Sequence, residues 1–409
     1  MKMLSSKYTF KTDIIIIALI ASIFILNALR PWLDFLLPIN NQLITAVQFL
    51  ILLLFITVLD TNFYKKTHIP SALLLVSISI IFIIQALFLV LIGDVMGVIS
   101  GLYVLLRTFL LVYLFQILLT SRREKEIFIS AQHYFVVYFL ITFFYCMLQH
   151  PQILNVAILR EYGSNFTSAN PLVTFRANGG IGGTVVDYAN FLLAFSWILF
   201  FSHFKKKSTK NWLLIIFAIT SFIAFSRALY LSLFFILVVH LISFKNIKRA
   251  TLSFLLIIVP VLLFIFNFEI IMEFYSGFNA SDSQRLESWL LLFKNFTLLE
   301  FILGTGIGGN TGLFLSGESK ISGDGFVTGF TYDAGILTFL LLFSVIASRV
   351  LSIRSNWRVK ISIIGSMLLM LIINSGFEKL FIVFSYVLSI AIVYGSNEYF
   401  LEKKTNLSK

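Results

Sequence analysis

Twelve apolar segments recur along the chain, at approximately 13–29, 40–59, 69–92, 98–119, 127–148, 184–203, 211–226, 228–244, 250–268, 330–349, 359–375 and 379–396. A helix needs about 20 mostly apolar residues to cross the roughly 30 Å of bilayer hydrocarbon. Only helices or closed barrels can do so, because lipid offers no partner to a free backbone group. The pattern therefore predicts an all-α polytopic membrane protein, one transmembrane domain over residues 1–409. Composition agrees: 59% of residues are hydrophobic and 12% charged, against about 25% charged in soluble domains. A soluble fold could not hide this much apolar surface.

The net charge of +12 would suggest nucleic acid in a soluble protein, but here topology accounts for most of it. Short connections that alternate along the chain carry Lys65 and Lys66, Arg122 and Arg123, Lys205 to Lys207, Lys245 and Arg249, or Arg354 and Arg358. With both termini assigned to the cytoplasm, 22 of the 31 basic residues fall inside, as the positive-inside rule requires. No nucleic-acid partner is expected. The run from Ile14 to Leu26 after Lys2, Lys7 and Lys11 is read as an uncleaved first helix rather than a signal peptide, given the spans that follow it.

Two outer connections are long, residues 149–183 and 269–329. Within the second, Ser281 and Gln284 have capping-box spacing, and Leu286, Trp289, Leu290, Phe293 and Phe296 recur at helical intervals. They predict a helix over 281–301 lying on the membrane surface. Gly304, Gly306, Gly308, Gly309 and Gly312 then break it. The spacing Gly304-x-Gly306-x-x-Gly309 matches a dinucleotide fingerprint but follows a helix rather than a strand, and is set aside.

Nine cations remain outside the topological scheme: Arg30, Arg107, Arg160, Arg176, Arg227, Arg285, Lys294, Lys320 and Lys379. A cation that does not serve topology must neutralise something else, and arginine suits phosphate through its planar fork and permanent charge. Arg176 precedes Ala177-Asn178-Gly179-Gly180-Ile181-Gly182-Gly183, where backbone could approach a ligand closely. Arg227 sits in the tight turn Phe225-Ser226-Arg227-Ala228, and Arg285 in the first turn of the surface helix. The bland reading of each is an interfacial arginine that snorkels. Arg107 lies about nine residues into the fourth span, roughly 13 Å deep, where an acid such as Asp94, Asp187 or Asp333 could pair with it.

Other chemistry is sparse. His68, His133, His203 and His240 map to cytoplasmic ends, and only His150 lies outside. The single cysteine, Cys146, precludes an intramolecular disulfide and a cysteine-based metal site. No metal-ligand spacing, nucleotide loop or nucleophile elbow appears, so no cofactor is expected. An outer group of arginines beside glycine loops and one or two acids suits a lipid-linked anionic substrate.

On these stretches the chain resembles the O-antigen polymerase and ligase superfamily, the Wzy-type repeat-unit polymerases and their lipid A core ligase relatives. Arg176 with Gly179 and Gly180 resembles that family's arginine-glycine approach to its central helices. Phe225-Ser226-Arg227-Ala228 resembles its Ser-Arg turn. Arg285, Trp289, Gly304 and Gly306 resemble its long outer loop, and Asp324-Gly325-Phe326, with Gly335 eleven residues after the aspartate, its segment leading into a late span.

The resemblance implies a GT-C-like architecture in the bacterial inner membrane, facing the periplasm or exterior. It implies a glycosyltransferase that polymerises polyprenyl-diphosphate-linked oligosaccharide repeat units of O-antigen, capsule or a related surface polysaccharide. A flippase and a chain-length regulator are the implied partners. Arg176, Arg227 and Arg285 would stabilise the departing diphosphate in place of a metal, and Asp324 would activate the acceptor hydroxyl. Arg107, Arg160, Gly179, Gly180, Trp289, Gly304 and Gly306 would contact substrate. Ligase relatives carry a histidine in the long outer loop, and residues 269–329 have none, which favours polymerase over ligase. The rival from another class is a transporter or flippase, for which twelve spans is a common layout.

Overall fold

The computed structural model describes residues 2–36, 47–54, 80, 83, 87, 125–150, 153–154, 156, 164–165, 175–181, 185–204, 206–224, 226–241, 294, 296–304, 326–352, 355–373 and 380–407. Among the described residues these helices run in chain order: α1 (Lys2–Leu36), α2 (Lys125–Gln149), α3 (Val185–Phe201), α4 (Lys207–Ala224), α5 (Arg227–Leu241), α6 (Leu298–Leu303), α7 (Phe326–Ser352), α8 (Trp357–Ile373) and α9 (Leu380–Leu407). Residues 47–54 are also helical. A two-residue antiparallel pairing, β1 (Ser164–Asn165) with β2 (Phe175–Arg176), is the departure from helix among the described residues.

Eight of the twelve expected spans coincide with α1 to α5 and α7 to α9. The segment expected over 40–59 is helical at 47–54, and the one over 69–92 at its three described positions; 98–119 and 250–268 lie outside the described residues. Among the described residues, two stretches, Ile14–Leu33 and Ser130–Gln149, are long and apolar enough to cross a membrane, and Val186–Phe201, Ala228–His240, Ala334–Ser348 and Phe381–Asn397 are shorter apolar helices.

The core forms around α3, whose residues from Tyr188 to Leu199 are all buried. A helix apolar on every face must be covered on every face, and α2, α4, α5, α8 and α9 surround it. Aromatic rings spaced one turn apart mesh between α2 and α3: Phe135 stacks on Phe191 at 5.3 Å and Phe139 on Phe195 at 4.0 Å. The direction of each helix follows from its contacts. Phe24 meets Phe135 and Trp32 meets Tyr145, so α1 and α2 are parallel. Cys146 meets Tyr188 and Gln132 meets Ser202, so α3 is antiparallel to α2.

The α9 helix follows α3 in the same sense, with Asn190 bonded to Tyr386 and the His203 N–H to the Ser396 hydroxyl. The α5 helix does likewise, since Phe201 packs on His240 at 5.1 Å.

Polar side chains inside this core pair across helices. Trp197 Nε1 donates to Ser366 Oγ at 3.0 Å, Ser232 Oγ to the Ser366 carbonyl at 3.2 Å, and Gln48 Nε2 to Asn27 Oδ1 at 3.0 Å. In an apolar surrounding such pairs join helices that hydrophobic burial alone would not orient. Close backbone approach is required at Gly365, where a Cβ would lie 2.2 Å from the Phe235 ring.

Two expectations change. The helix expected over 281–301 does not run unbroken, because residues 296–297 are not helical and Thr297 (φ −71°, ψ 158°) caps the separate helix α6. The reciprocal capping box forms there: Glu300 N donates to Thr297 Oγ1 at 3.2 Å, and Glu300 Oε2 accepts the Thr297 N–H at 2.7 Å. The tenth segment, expected as one helix, is broken at Gly335 (φ 81°, ψ 156°).

Candidate functional site

One end of the bundle gathers the segments singled out by sequence. The last turn of α2, the start of α3 and, by parallel packing, the starts of α5 and α9 lie there. The α8 helix begins at the opposite end, with Arg358 in electrostatic reach of His240. Since α7 joins α8 through the short connection 353–356, the Gly335 portion of α7 returns to the first end.

At this end the chain after Arg176 folds into the protein. Ala177 and Asn178 are fully buried and Ile181 nearly so. The Gln149 carboxamide, at the last residue of α2, holds the loop: Nε2 donates to Asn178 Oδ1 at 2.7 Å, and Oε1 accepts the N–H groups of Asn178 and Gly179, each at 3.2 Å. Asn178 Oδ1 also accepts the Gly180 N–H at 3.2 Å, the local turn that Asn favours. Gly179 (φ 61°) and Gly180 (φ 70°) adopt left-handed backbone, open to glycine at no steric cost. A Cβ on Gly179 would lie 2.6 Å from the Tyr188 ring, and one on Gly180 2.8 Å from Tyr145.

The sequence suggested that these glycines let backbone approach a ligand. The N–H groups of Asn178, Gly179 and Gly180 are instead taken by Gln149 and Asn178, and tyrosine rings fill the space a side chain would need. Gly179 and Gly180 thus seal the loop into the bundle. Arg176 comes immediately before the sealed loop, and its backbone pairs with Ser164 in the β1–β2 bridge. Its position is fixed from both sides, by the bridge before it and the buried loop after it.

Arg227 opens α5. Ser226 precedes it, its carbonyl accepting the Tyr230 N–H at 3.1 Å and its hydroxyl the Leu229 N–H at 3.5 Å, while the Tyr230 hydroxyl reaches back to the Ser221 carbonyl at 2.9 Å. Gly304 (φ 85°) ends α6, its N–H donating to the Glu300 carbonyl at 2.7 Å. The end of α6 abuts the break in α7, where a Cβ on Gly335 would lie 2.2 Å from the Ile302 carbonyl oxygen. Arg176, Gly179, Gly180, Arg227, Gly304 and Gly335 thus share one end of the bundle. Arg107, Arg160, Arg285, Trp289, Gly306 and Asp324 lie outside the described residues.

His150 follows Gln149, and burial pushes its imidazole below its usual pKa, so it is neutral at pH 7. The exposed Glu300 carboxylate is held below its usual pKa by the Thr297 N–H and hydroxyl. Among the described residues no three or more His, Cys, Asp or Glu side chains come together as a metal site. Gln149 and Tyr145 were not singled out in the sequence. The signal available for them was a polar or hydroxylated residue in the last turn of an apolar helix that faces a glycine-rich return. No protein-family model, curated protein or solved structure matches this chain.

Proposed function

We propose that this chain is a bacterial membrane glycosyltransferase of the Wzy type. It polymerises polyprenyl-diphosphate-linked oligosaccharide units at the outer leaflet of the cytoplasmic membrane. Arg176 carries the reading: a permanent cation on a backbone fixed by the β1–β2 bridge and the buried loop, at the same end of the bundle as Arg227.

The directions of the helices support the twelve-span layout. Because α1 and α2 are parallel, the chain between them must cross the membrane an odd number of times, and three crossings are expected there. Likewise α5 and α7 both start at the loop end, which requires an odd number between them, and one is expected. The positive-inside assignment of the basic connections is what puts the loop end outside and both termini in the cytoplasm in this reading.

In the reaction the bond from the sugar's anomeric carbon to the diphosphate oxygen breaks, and the diphosphate leaves with the electron pair. The acceptor hydroxyl forms the new glycosidic bond and gives up its proton. Arg176, Arg227 and Arg285 stabilise the charge that develops on the diphosphate, which is the term that most lowers such barriers. Asp324 takes the proton. No nucleotide is consumed, since the donor already carries its leaving group.

The discriminating experiment removes the protein and examines lipid-linked glycan in the cell. A polymerase leaves single repeat units on the outside. Accumulation of unflipped units on the cytoplasmic side would instead assign the chain to translocation.

A further inference from the structure

The α6 helix is apolar, yet the protein leaves it largely uncovered. None of its residues is buried, and Leu298 is 77%, Leu299 66% and Phe301 40% exposed. A contiguous apolar surface of this kind marks a contact, and a helix of six residues, about 9 Å long, is too short to be a span.

Depth identifies what it contacts. The α6 helix packs on α7, with the Phe296 ring beside Tyr332 at 5.2 Å. The Ile302 carbonyl oxygen and the Leu303 carbonyl carbon lie 2.2 and 2.5 Å from where a Cβ on Gly335 would be. The segment therefore descends along α7 from the level of Tyr332 to that of Gly335. The inward-facing cations of the α7–α8 connection begin at Arg349. From Gly335 to Arg349, α7 rises about 21 Å, within a hydrocarbon layer about 30 Å thick. Gly335, and the end of α6 with it, thus lies below the outer edge of that layer.

The polar groups are arranged to match. Glu300, the one acid of α6, folds back to the shallow end, its carboxylate accepting the Thr297 N–H at 2.7 Å and hydroxyl at 2.8 Å. At the deep end the Gly304 N–H returns to the Glu300 carbonyl, and the Ile302 carbonyl meets the backbone of α7. Irregular backbone survives at membrane depth only under protein cover. Here the end of α6 and the break in α7 cover each other, and glycine at position 335 lets them close to backbone contact.

We propose that α6 is a re-entrant segment, immersed in the outer leaflet with Leu298, Leu299 and Phe301 among the lipid acyl chains, where it anchors the connection 269–329 to the membrane. This rests on the membrane-spanning part of the reading above and not on its chemistry.

The test is a spin-label depth measurement on the full chain in liposomes of phosphatidylethanolamine and phosphatidylglycerol, comparing collisions with oxygen and with a water-soluble nickel chelate. Cys146 is buried, so wild type is the blank. Labels go on Leu298→Cys and Phe301→Cys, on Leu340→Cys, exposed on α7, and on Ser208→Cys, exposed at the cytoplasmic start of α4. All four replace exposed side chains, and Leu299→Cys substitutes for either α6 variant that does not reconstitute. The oxygen-to-nickel ratio is expected to rise in the order Ser208, Leu298, Phe301, Leu340.

A ratio at the α6 positions equal to that at Ser208 puts α6 in water and overturns the immersion while the spanning reading stands. Shielding of the α6 positions from both reagents overturns it as well, since the cover is then protein, such as a second copy of the chain. A ratio at Leu340 equal to that at Ser208 overturns the immersion and the spanning reading together.

Discussion

Gln149 and Asn178 face each other across the end of α2, carboxamide to carboxamide at 2.7 Å, and both are fully buried. Through this pair the loop that follows Arg176 becomes part of the core. Gln149→Leu removes the acceptor of two buried N–H groups and the donor to Asn178 Oδ1. Each group left unmade costs about 1–3 kcal/mol. The variant is expected to unfold at a lower temperature in detergent and, with the Arg176 backbone released, to lose polymer length by more than its abundance explains. Thermal unfolding and glycan gels on the same membranes check both parts.

Gly335→Ala meets two obstacles, a left-handed φ of 81° and a carbonyl oxygen 2.2 Å from the new Cβ. With ψ at 156° this is backbone open essentially to glycine alone, so the strain amounts to about 1–3 kcal/mol, and the overlap can be relieved only by moving α6 off α7. Hydrogen exchange over residues 298–304 is expected to rise sharply in this variant. Thr297→Ala, which deletes the cap of α6, should raise it in the same segment, at a cost of about 1 kcal/mol.

Acidification should destabilise the fold through His150 and His203. Burial lowers the pKa of both below the usual 6.5, with Lys210 adding to the effect at His203. The unfolded chain therefore takes up protons first as pH falls. The stability present with neutral imidazoles is full above about pH 6.5 and is lost as pH drops through the lower folded values. The unfolding temperature should fall between pH 7.5 and 5.5, and the His150→Gln, His203→Gln double variant should flatten that slope.

The helices were legible where hydropathy decided them. The narrow break between α4 and α5 falls where Ser226-Arg227 placed it, because serine competes for the backbone at a helix start. The break at Gly335 was not legible, since glycine is common in apolar spanning helices and what opens this one is the Ile302 carbonyl from a distant segment. The surface helix was overextended through Thr297, whose cap with Glu300 is a sequence signal that helical periodicity outweighed.

At the site, Arg176 and the glycine loop were conspicuous in the sequence. The purpose of the glycines was not, because Gln149, which takes the Gly179 N–H, and Tyr188 and Tyr145, which fill the Cβ space of Gly179 and Gly180, are brought there by packing alone. The same holds for Trp197 and Ser366, far apart in sequence and bonded at 3.0 Å.

The central claim is that fixed arginines at the loop end drive polymerisation. The most direct measurement is the length distribution of surface glycan in cells whose only copy of the protein carries Arg176→Ala, with membrane abundance matched to wild type. Long chains should disappear, leaving single repeat units, and Arg176→Lys should restore them only in part, because lysine cannot reproduce the bidentate contact. A wild-type ladder from Arg176→Ala at matched abundance would contradict the account.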